Sequence, residues 1–189
     1  IEKIEISVRT QFINLSWKYG PHFYLNHKLF RDHRQLNDSI ERIQFQIKSG
    51  HDLLVSEYYH RYNDPAMPPV WIAVELTTIG QLTKLFMNLK HAEDKEAVAK
   101  RYQIHYSVLQ AIMDNLTLIR NYSAHHTRIW NRHFSFECSL DNQHQLISHA
   151  LCDGSRMYSV LVLITYILKT LGVEQPFYKR LMGLISIYN

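Results

Sequence analysis

Apolar residues recur every three or four positions through most of this chain, and that spacing constrains its fold more than any other feature. In the opening stretch one helical face carries Ile1, Ile4, Val8, Phe12 and Leu15. The same period continues over about 32–49, 51–62, 70–89, 106–127 and 154–171. The sequence shows neither a persuasive hairpin turn nor a sustained two-residue alternation. The pattern therefore predicts an all-α protein, a helical bundle of roughly seven helices.

Glycine and proline mark the ends of the predicted helices. Gly20 and Pro21 follow the first helix, Gly50 follows the second, and Gly172 follows the strongly apolar stretch 154–171. A proline suits the first turn of a helix because it needs no amide partner there. Pro68 and Pro69 therefore open the helix predicted over 70–89, and Pro176 opens the last helix, which runs through Ile187.

The helix predicted over 70–89 carries an apolar side that we expect to be buried. Its members are Trp71, Val74, Thr78, Leu82, Leu85 and Leu89. Gly80 lies in the middle of this stretch, which suggests close approach of another helix. Glu75 lies within a turn of the apolar side, as a solvated edge residue or as the partner of a buried arginine. The charged stretch HAEDKEAVAKRY that follows predicts a short, solvated helix.

Length and composition are those of a globular protein with a substantial core. The chain has 189 residues, of which 46% are hydrophobic and 20% charged, and this composition argues against disorder. We expect a single domain over 1–189. Because the sequence starts at Ile1 inside an apparent helix, we also expect an N-terminal part of the protein to be missing. The net charge of +4 permits a nucleic-acid partner without requiring one.

The sequence lacks the signals of disulfide frameworks, thiolate zinc sites, membrane spans and common nucleotide-binding motifs. Its two cysteines, Cys138 and Cys152, are too few for a disulfide framework or a thiolate zinc site. No run approaches the roughly 18 apolar residues that a membrane span needs. No Gly-rich phosphate loop, Walker-type lysine or dinucleotide fingerprint occurs. We therefore predict a cytoplasmic protein without a cofactor and without membrane contact.

The segment 120–132, RNYSAHHTRIWNR, carries the candidate chemistry at the polar end of the helix predicted over 106–127. Arg120 can hold a phosphate by two parallel hydrogen bonds. His125 can move a proton near neutral pH. Asn121 lies four positions before His125, so the two share a helical face and the amide can orient the ring or touch the substrate. These groups are the minimum for cutting RNA without a metal, through attack by its own 2′-hydroxyl.

One helix offers only one good imidazole position, because His126 points roughly 100° away from His125. A homodimer with two such helices face to face would supply two histidines, two arginines and a positive groove for the strand. We expect the neighbouring residues His126, Arg128, Asn131 and Arg132 to contact the substrate. Trp130 either stacks on a base or fixes the helix end in the core, and the second role is the more common.

Two other interpretations fit the same residues. Arg120 can pair with an acid such as Glu75 while the histidines cap the helix C-terminus, where cations gain up to about 1 kcal/mol from the helix dipole. A metal site is the third interpretation. It is disfavoured because adjacent histidines rarely point at one ion and no carboxylate lies at ligand spacing around them, so we predict no metal.

Four blocks of the sequence resemble a known family. RNYSAHHTRIWNR resembles the signature of the abortive-infection proteins of the AbiD/AbiF type, the Abi-like proteins. PPVWIAVELTTIGQLTKLFMNLK resembles their block with a Pro-Pro-x-Trp start followed by glutamate and glycine. IEKIEISVRTQF and SEYYHRYNDP also fit, and the blocks follow in the family's order over most of the chain.

The resemblance implies a fold and an activity. Abi-like proteins are placed in the HEPN superfamily, all-α domains of bacterial defence and toxin–antitoxin systems, which implies a HEPN-type bundle with additional helices. It also implies metal-independent RNA cleavage at an Arg-x4-6-His motif, usually in a dimer, with 2′,3′-cyclic phosphate products. Carried across, the motif is Arg120, Asn121 and His125. His126 also satisfies the looser spacing, so the choice of imidazole stays open.

The resemblance also implies binding partners, and it leaves two alternative functions open. The expected partners are RNA, as substrate and as a regulator, and an antitoxin. Some HEPN toxins carry a tyrosine two positions after the histidine that is a target for nucleotidylation, and this chain has Thr127 there, so we do not predict that control. Because many HEPN domains are catalytically silent, a non-catalytic RNA- or protein-binding module is the rival interpretation, and a nucleotide-binding regulator is another.

Overall fold

The structure is a computed structural model that describes residues 1–50, 53–62, 64–129, 132 and 157–188. These residues form helices and no strand, with one isolated bridge between Phe30 and Leu89, which confirms the all-α prediction. The α-helices are α1 (Glu2–Ile13), α2 (Ser16–Tyr19), α3 (His33–Ser49), α4 (Leu53–Arg61), α5 (Val70–Ala73), α6 (Ile79–Asn88), α7 (Ala92–Ala99), α8 (Tyr106–Ala124), α9 (Met157–Thr170) and α10 (Gln175–Tyr188). Short 3-10 helices cover Phe23–Leu25, His27–Leu29 and Lys100–Tyr102.

The chain divides into two compact units. The N-terminal unit is Glu5–Val98, and the C-terminal unit is Ile1–Ile4 together with Ala99–Asn189. The prediction of a single domain over 1–189 stays a prediction. Across the helices of the described ranges, none combines the length and the apolar character that a membrane crossing requires.

Helix α3 begins and ends where its sequence predicts. The side chain of Asp32 caps the first turn by accepting a hydrogen bond from the Gln35 amide at 3.0 Å. Gly50 ends the helix in the left-handed region, with φ of 67°. In the opening stretch, Ile4, Val8, Phe12 and Leu15 of the predicted face are buried and Ile1 is half-buried. The single helix predicted up to Gly20 is wrong, because the stretch is divided into α1 and α2.

The prediction of one helix over 70–89 is wrong, because a cap divides it. Helix α5 ends at Ala73, and α6 begins after Thr78. The Thr78 hydroxyl accepts from the Gln81 amide at 3.3 Å, and the Gln81 side chain accepts from the Thr78 amide at 2.8 Å. This reciprocal pair is a capping box, which satisfies two amides that a helix start leaves unpaired. Gly80 therefore lies in the first turn of α6 and not in mid-helix, and the close approach of another helix predicted from it stays a prediction.

The side-chain burial of this region is confirmed only in part. Four members of the predicted buried side are buried, namely Val74, Leu82, Leu85 and Leu89. Trp71 is 48% exposed within α5, and Thr78 is exposed at the N-cap of α6. The buried set therefore belongs to two short helices with independent faces.

Thr78→Ala is expected to lower the free energy of unfolding by about 1 kcal/mol, because it removes the capping box. Urea unfolding followed by circular dichroism measures this loss. Thr10→Ala is the matched control, since Thr10 is exposed inside α1 and its hydroxyl only bonds back to the Ile6 carbonyl at 2.9 Å. The control should be neutral or slightly stabilising, and equal losses in both variants would show that the box contributes nothing.

Helix α7 is less solvated than its charged sequence predicts. Asp94 is 2% exposed and Lys95 is 1% exposed. The Asp94 carboxylate accepts hydrogen bonds from the Lys18 ammonium at 2.8 Å and from the Tyr19 hydroxyl at 2.8 Å. The Lys95 ammonium donates to the Met87 carbonyl at 2.6 Å. The prediction of a fully solvated helix is therefore wrong, because buried charged groups persist when polar partners receive them.

In the C-terminal unit, the candidate site lies on α8, a helix with one side buried in the core. Its predicted apolar stripe is confirmed, since Leu109, Ile112, Met113, Leu116 and Ile119 are all buried. Helix α9 packs against α8, and Val160, Leu163 and Ile164 face Ile112 and Leu116 across a small cavity. This packing holds α8 in place around Ile112 and Leu116.

The remaining predictions for this unit agree with the structure where it is described. Gly172 follows α9 with φ of 71°, and Pro176 is the second residue of α10. The connection FSFECSLDNQHQ and the predicted helix start at Gly154 lie outside the described residues.

Candidate active site at the end of helix α8

The side chains of α8 change from buried to exposed between Ile119 and Arg120. Ile119 is 4% exposed and is the last buried residue of the apolar stripe. Arg120 and Asn121 follow it directly and are both exposed. The predicted transition from core to polar end is therefore confirmed, and the guanidinium and amide are mounted on a helix that packing holds in place.

The helix ends at Ala124, three residues before the predicted end at Thr127, and the histidines form its closing turn. His125 occupies the C-cap, and its amide still donates to the Asn121 carbonyl at 3.0 Å. That bond keeps Asn121 and His125 in helical register, one turn apart. The predicted placement of these two residues on one face is consistent with this register.

His126 occupies the left-handed position that usually belongs to glycine. Its φ is 51°, and its amide donates to the Ser123 carbonyl at 3.2 Å. The Thr127 amide then donates to the Tyr122 carbonyl at 2.8 Å. These two bonds define a Schellman turn, which satisfies the last carbonyls of α8. The helix end was missed from the sequence because no glycine marks it.

His126→Gly is expected to raise the free energy of unfolding by up to about 1 kcal/mol, because glycine adopts positive φ without the clash that a Cβ makes. Thermal or urea unfolding measures the change. His125→Gly is the matched neighbour: its φ of −95° needs no glycine, so that change should destabilise the protein. If both variants lose stability equally, the left-handed position of His126 carries no strain.

The functional groups of the motif are open to solvent. Arg120, Asn121, His125 and His126 are all exposed. Within the described part of the chain, Arg120 takes part in no ion pair. The guanidinium is therefore accessible to a phosphate, which a buried or paired arginine would not be.

The alternative in which Glu75 neutralises the motif arginine is not supported by the position of that acid. The Glu75 carboxylate lies 3.6 Å from the guanidinium of Arg9, in its own unit. Arg9 also donates to the Glu5 carboxylate and to the Thr77 carbonyl, both at 2.7 Å. Glu75 is thus the partner of a largely buried arginine, as one interpretation of the sequence expected, and that arginine is Arg9.

The alternative in which the histidines close the helix is confirmed for their backbones. The C-cap and the left-handed turn are formed by main-chain groups of His125 and His126. Because the side chains take no part in these bonds, the closure leaves both imidazole rings exposed. A structural role for the backbone and a chemical role for the rings are therefore compatible.

Downstream of the turn, Arg132 folds back onto the last turn of α8. Its guanidinium carbon lies 4.2 Å from the centre of the Tyr122 ring, a cation–π contact that holds the two segments together. Tyr122 was not singled out in the sequence, because an aromatic residue ten positions before an arginine gives no usable signal of a contact between them. Arg128 is exposed. Trp130 and the predicted substrate contact Asn131 lie outside the described residues.

Metal ligation has no candidate cluster in this part of the molecule. Among residues 1–50, 53–62, 64–129, 132 and 157–188, no three His, Cys, Asp or Glu side chains lie close enough to hold one ion. The substrate roles predicted for His126, Arg128 and Arg132 stay predictions, as do the catalytic roles of Arg120, Asn121 and His125.

Comparison with known proteins places the motif in a family. The family model for the Abi-like protein matches residues 1–131, well over half of the 189 residues. The match runs from α1 through α8 and contains the exposed motif. No curated protein and no solved structure matches the chain. The resemblance drawn from the four sequence blocks is therefore confirmed, and the chain belongs to the family of Abi-like proteins.

Proposed function

We propose that this protein is a metal-independent RNA endonuclease of the HEPN type that acts in bacterial abortive infection against phage. One observation carries the proposal. Arg120, Asn121 and His125 are exposed together at the anchored end of α8, inside the part of the chain that matches the Abi-like family. The family itself supports the link to abortive infection, and the residue chemistry supports RNA as the substrate.

The proposed reaction uses the 2′-hydroxyl of the substrate as nucleophile. A bond forms between the 2′-oxygen and phosphorus, and the bond from phosphorus to the 5′-oxygen breaks. His125 receives the 2′-hydroxyl proton or donates a proton to the leaving 5′-oxygen. Arg120 holds two phosphate oxygens and balances the charge that develops on them. The products are a 2′,3′-cyclic phosphate and a 5′-hydroxyl.

Asn121 has a supporting role in this scheme. The hydrogen bond from the backbone amide of His125 to the Asn121 carbonyl measures 3.0 Å and keeps the two residues one helical turn apart. A side-chain amide at that spacing can fix the tautomer of the imidazole or bind the ribose. His126 stays the alternative proton carrier, because its ring is also exposed.

The proposed site needs a second copy of the chain. Base and acid act at opposite ends of the same phosphate, and one α8 offers one His125. Leu118 is 42% exposed and precedes Asn121 by three positions and His125 by seven, so an apolar side chain lies on the same helical face as these two residues. That face can pack against its equivalent in a homodimer. Light scattering should show two chains, and specific activity should fall on dilution below the dimer dissociation constant.

Cleavage of end-labelled RNA in excess EDTA tests the activity directly. We expect cleavage to continue, because no step uses a metal. Cleavage that stops in EDTA and returns with added divalent cation would contradict the proposal. Salt-sensitive RNA binding without cleavage, unchanged by His125→Ala, would instead identify the non-catalytic binding module. The antitoxin and the regulatory RNA belong to the same proposal as partners that restrain the enzyme.

A further inference from the structure

Two segments of the N-terminal unit that are distant in sequence lie side by side. The Lys90 amide donates to the Leu29 carbonyl at 2.8 Å, and the Arg31 amide donates to the Asn88 carbonyl at 2.9 Å. These reciprocal bonds form a short antiparallel bridge between the segment before α3 and the segment after α6. The bridge fixes the register of the two segments.

The Asn88 side chain strengthens the same junction. Its carbonyl oxygen accepts from the Asp32 amide at 2.8 Å, and its amide donates to the Asp32 carbonyl at 2.7 Å. Asn88 is 4% exposed, so both bonds are shielded from water. A buried amide with both groups satisfied holds the junction rigidly.

The junction gathers basic side chains on one surface. Segments 27–34 and 88–91 together contain four arginines and lysines but one carboxylate, a net +3 in a chain whose total is +4. All basic side chains of these two segments are exposed. We call them the basic surface: His27, Lys28, Arg31, His33, Arg34, Lys90 and His91.

Two of the nearby acids, Asp32 and Asp94, are held in hydrogen bonds, whereas Asp38 and Glu93 are exposed. The Asp32 carboxylate accepts from the Gln35 amide at 3.0 Å as the cap of α3. Asp94 accepts from Lys18 at 2.8 Å and from Tyr19. Beneath the surface, burial and the charge of Arg31 lower the pKa of Lys95. A second cation is thus close enough to Arg31 to feel its charge, which marks a region of positive potential.

We propose that the basic surface of the N-terminal unit binds the sugar-phosphate backbone of single-stranded RNA. Lysine and arginine side chains on a rigid junction match a chain of regularly spaced phosphates. The His27 and His33 rings, 5.1 Å apart and edge to face, add exposed planar groups of the kind that stack on unpaired bases. This feature favours a nucleic acid over a lipid surface. The choice of RNA rests on the proposed function, but the surface uses neither Arg120 nor His125.

The test compares two triple variants that lose the same charge. Lys28→Gln, Arg34→Gln and Lys90→Gln remove three cations from the basic surface, at side chains that donate no hydrogen bond within the described ranges. Arg42→Gln, Lys48→Gln and Arg61→Gln form the control, at exposed positions of α3 and α4. On α3, Arg42 and Lys48 lie roughly 12 and 21 Å along the axis from Arg34.

The probe is a fluorescent single-stranded RNA with 2′-O-methyl groups, which binds but cannot be cleaved through its 2′-oxygen. Fluorescence anisotropy over a salt series gives affinity and salt dependence. The surface variant should bind at least about tenfold more weakly at 0.1 M salt, with a slope of log K against log salt reduced by about 2. The control variant should bind like the wild type. If the triple surface variant does not fold, Lys28→Gln and Lys90→Gln alone should each reduce the slope by about 0.7.

Three results would overturn the proposal: wild-type RNA affinity in the surface variant, equal losses in both triples, or a loss of binding to anionic phosphatidylserine vesicles with RNA binding intact. The proposed nuclease and the basic surface can fail separately. Binding that depends on the surface, without cleavage of unmodified RNA, supports the surface and refutes the nuclease. Cleavage with surface-independent binding does the reverse.

Discussion

His125→Ala is expected to reduce the rate of RNA cleavage by roughly 10²–10⁴, the usual contribution of a general acid or base. The imidazole is exposed at the end of α8, and its backbone carries the structural bonds of the helix cap. Alanine keeps those bonds, so the loss should appear in activity and hardly in stability. Initial rates on labelled RNA in EDTA, with circular dichroism and light scattering on the same samples, measure it.

His60→Ala is the matched control, because His60 is exposed on α4 in the other unit. It should cleave at the wild-type rate. His126→Ala decides which imidazole transfers the proton, since a loss there as large as at His125 would divide the role between them. A folded His125→Ala protein that cleaves as fast as the wild type, alongside a dead His126→Ala protein, would move the assignment to His126.

Arg120→Lys is expected to reduce cleavage by roughly 10²–10³, although the charge is kept. A guanidinium offers two parallel donors to the phosphate, whereas an ammonium is a point charge that cannot reproduce the fork. Because the interaction strengthens as charge develops on the phosphate, kcat should fall more than KM rises. Steady-state kinetics with a short RNA of defined sequence separates the two constants.

Arg128→Lys supplies the comparison for this substitution. Arg128 is exposed beyond the closing turn of α8, and a residue that only follows the backbone should tolerate lysine with a small change in KM. If Arg120→Lys leaves kcat unchanged, the bidentate grip on the phosphate is not part of the reaction. If both substitutions lower kcat equally, the special role given to Arg120 is lost.

The helices that bury a continuous apolar face could be predicted from the sequence. In α8 the spacing of Leu109, Ile112 and Leu116 identifies the buried side, and those residues are buried. In α3 both ends carry a local signal, with Asp32 as cap and Gly50 in the left-handed region. Period and local capping chemistry suffice wherever one face and two clear ends coincide.

Features that depend on hydrogen bonds between particular side chains could not be predicted from that period. The apolar spacing continues from Val74 to Leu82 across the break, so only the reciprocal bonds of Thr78 and Gln81 reveal it. Asp94 is buried because Lys18, 76 positions earlier, reaches its carboxylate. Periodicity carries no information about a partner so distant in sequence.

The candidate site likewise has one part that could be predicted from the sequence and one part that could not. The position of Arg120 at the polar end of a buried helix follows from the sequence, because the apolar stripe stops at Ile119. The closing turn does not, since His126 takes a left-handed conformation that glycine usually marks. The proposed homodimer would supply a second His125 from another copy of the chain, and a single protomer cannot show how two such residues face each other.

The chemistry of the cut ends tests the central claim most directly. A short RNA is incubated with the protein in excess EDTA beside the same RNA carrying one 2′-deoxy nucleotide at the cleaved position, and the products are resolved by mass spectrometry. Attack by the 2′-hydroxyl should give 2′,3′-cyclic phosphate and 5′-hydroxyl ends from the first RNA, and no cut at the substituted position of the second. Cleavage of the deoxy substrate, or products with 5′-phosphate ends, would contradict this mechanism.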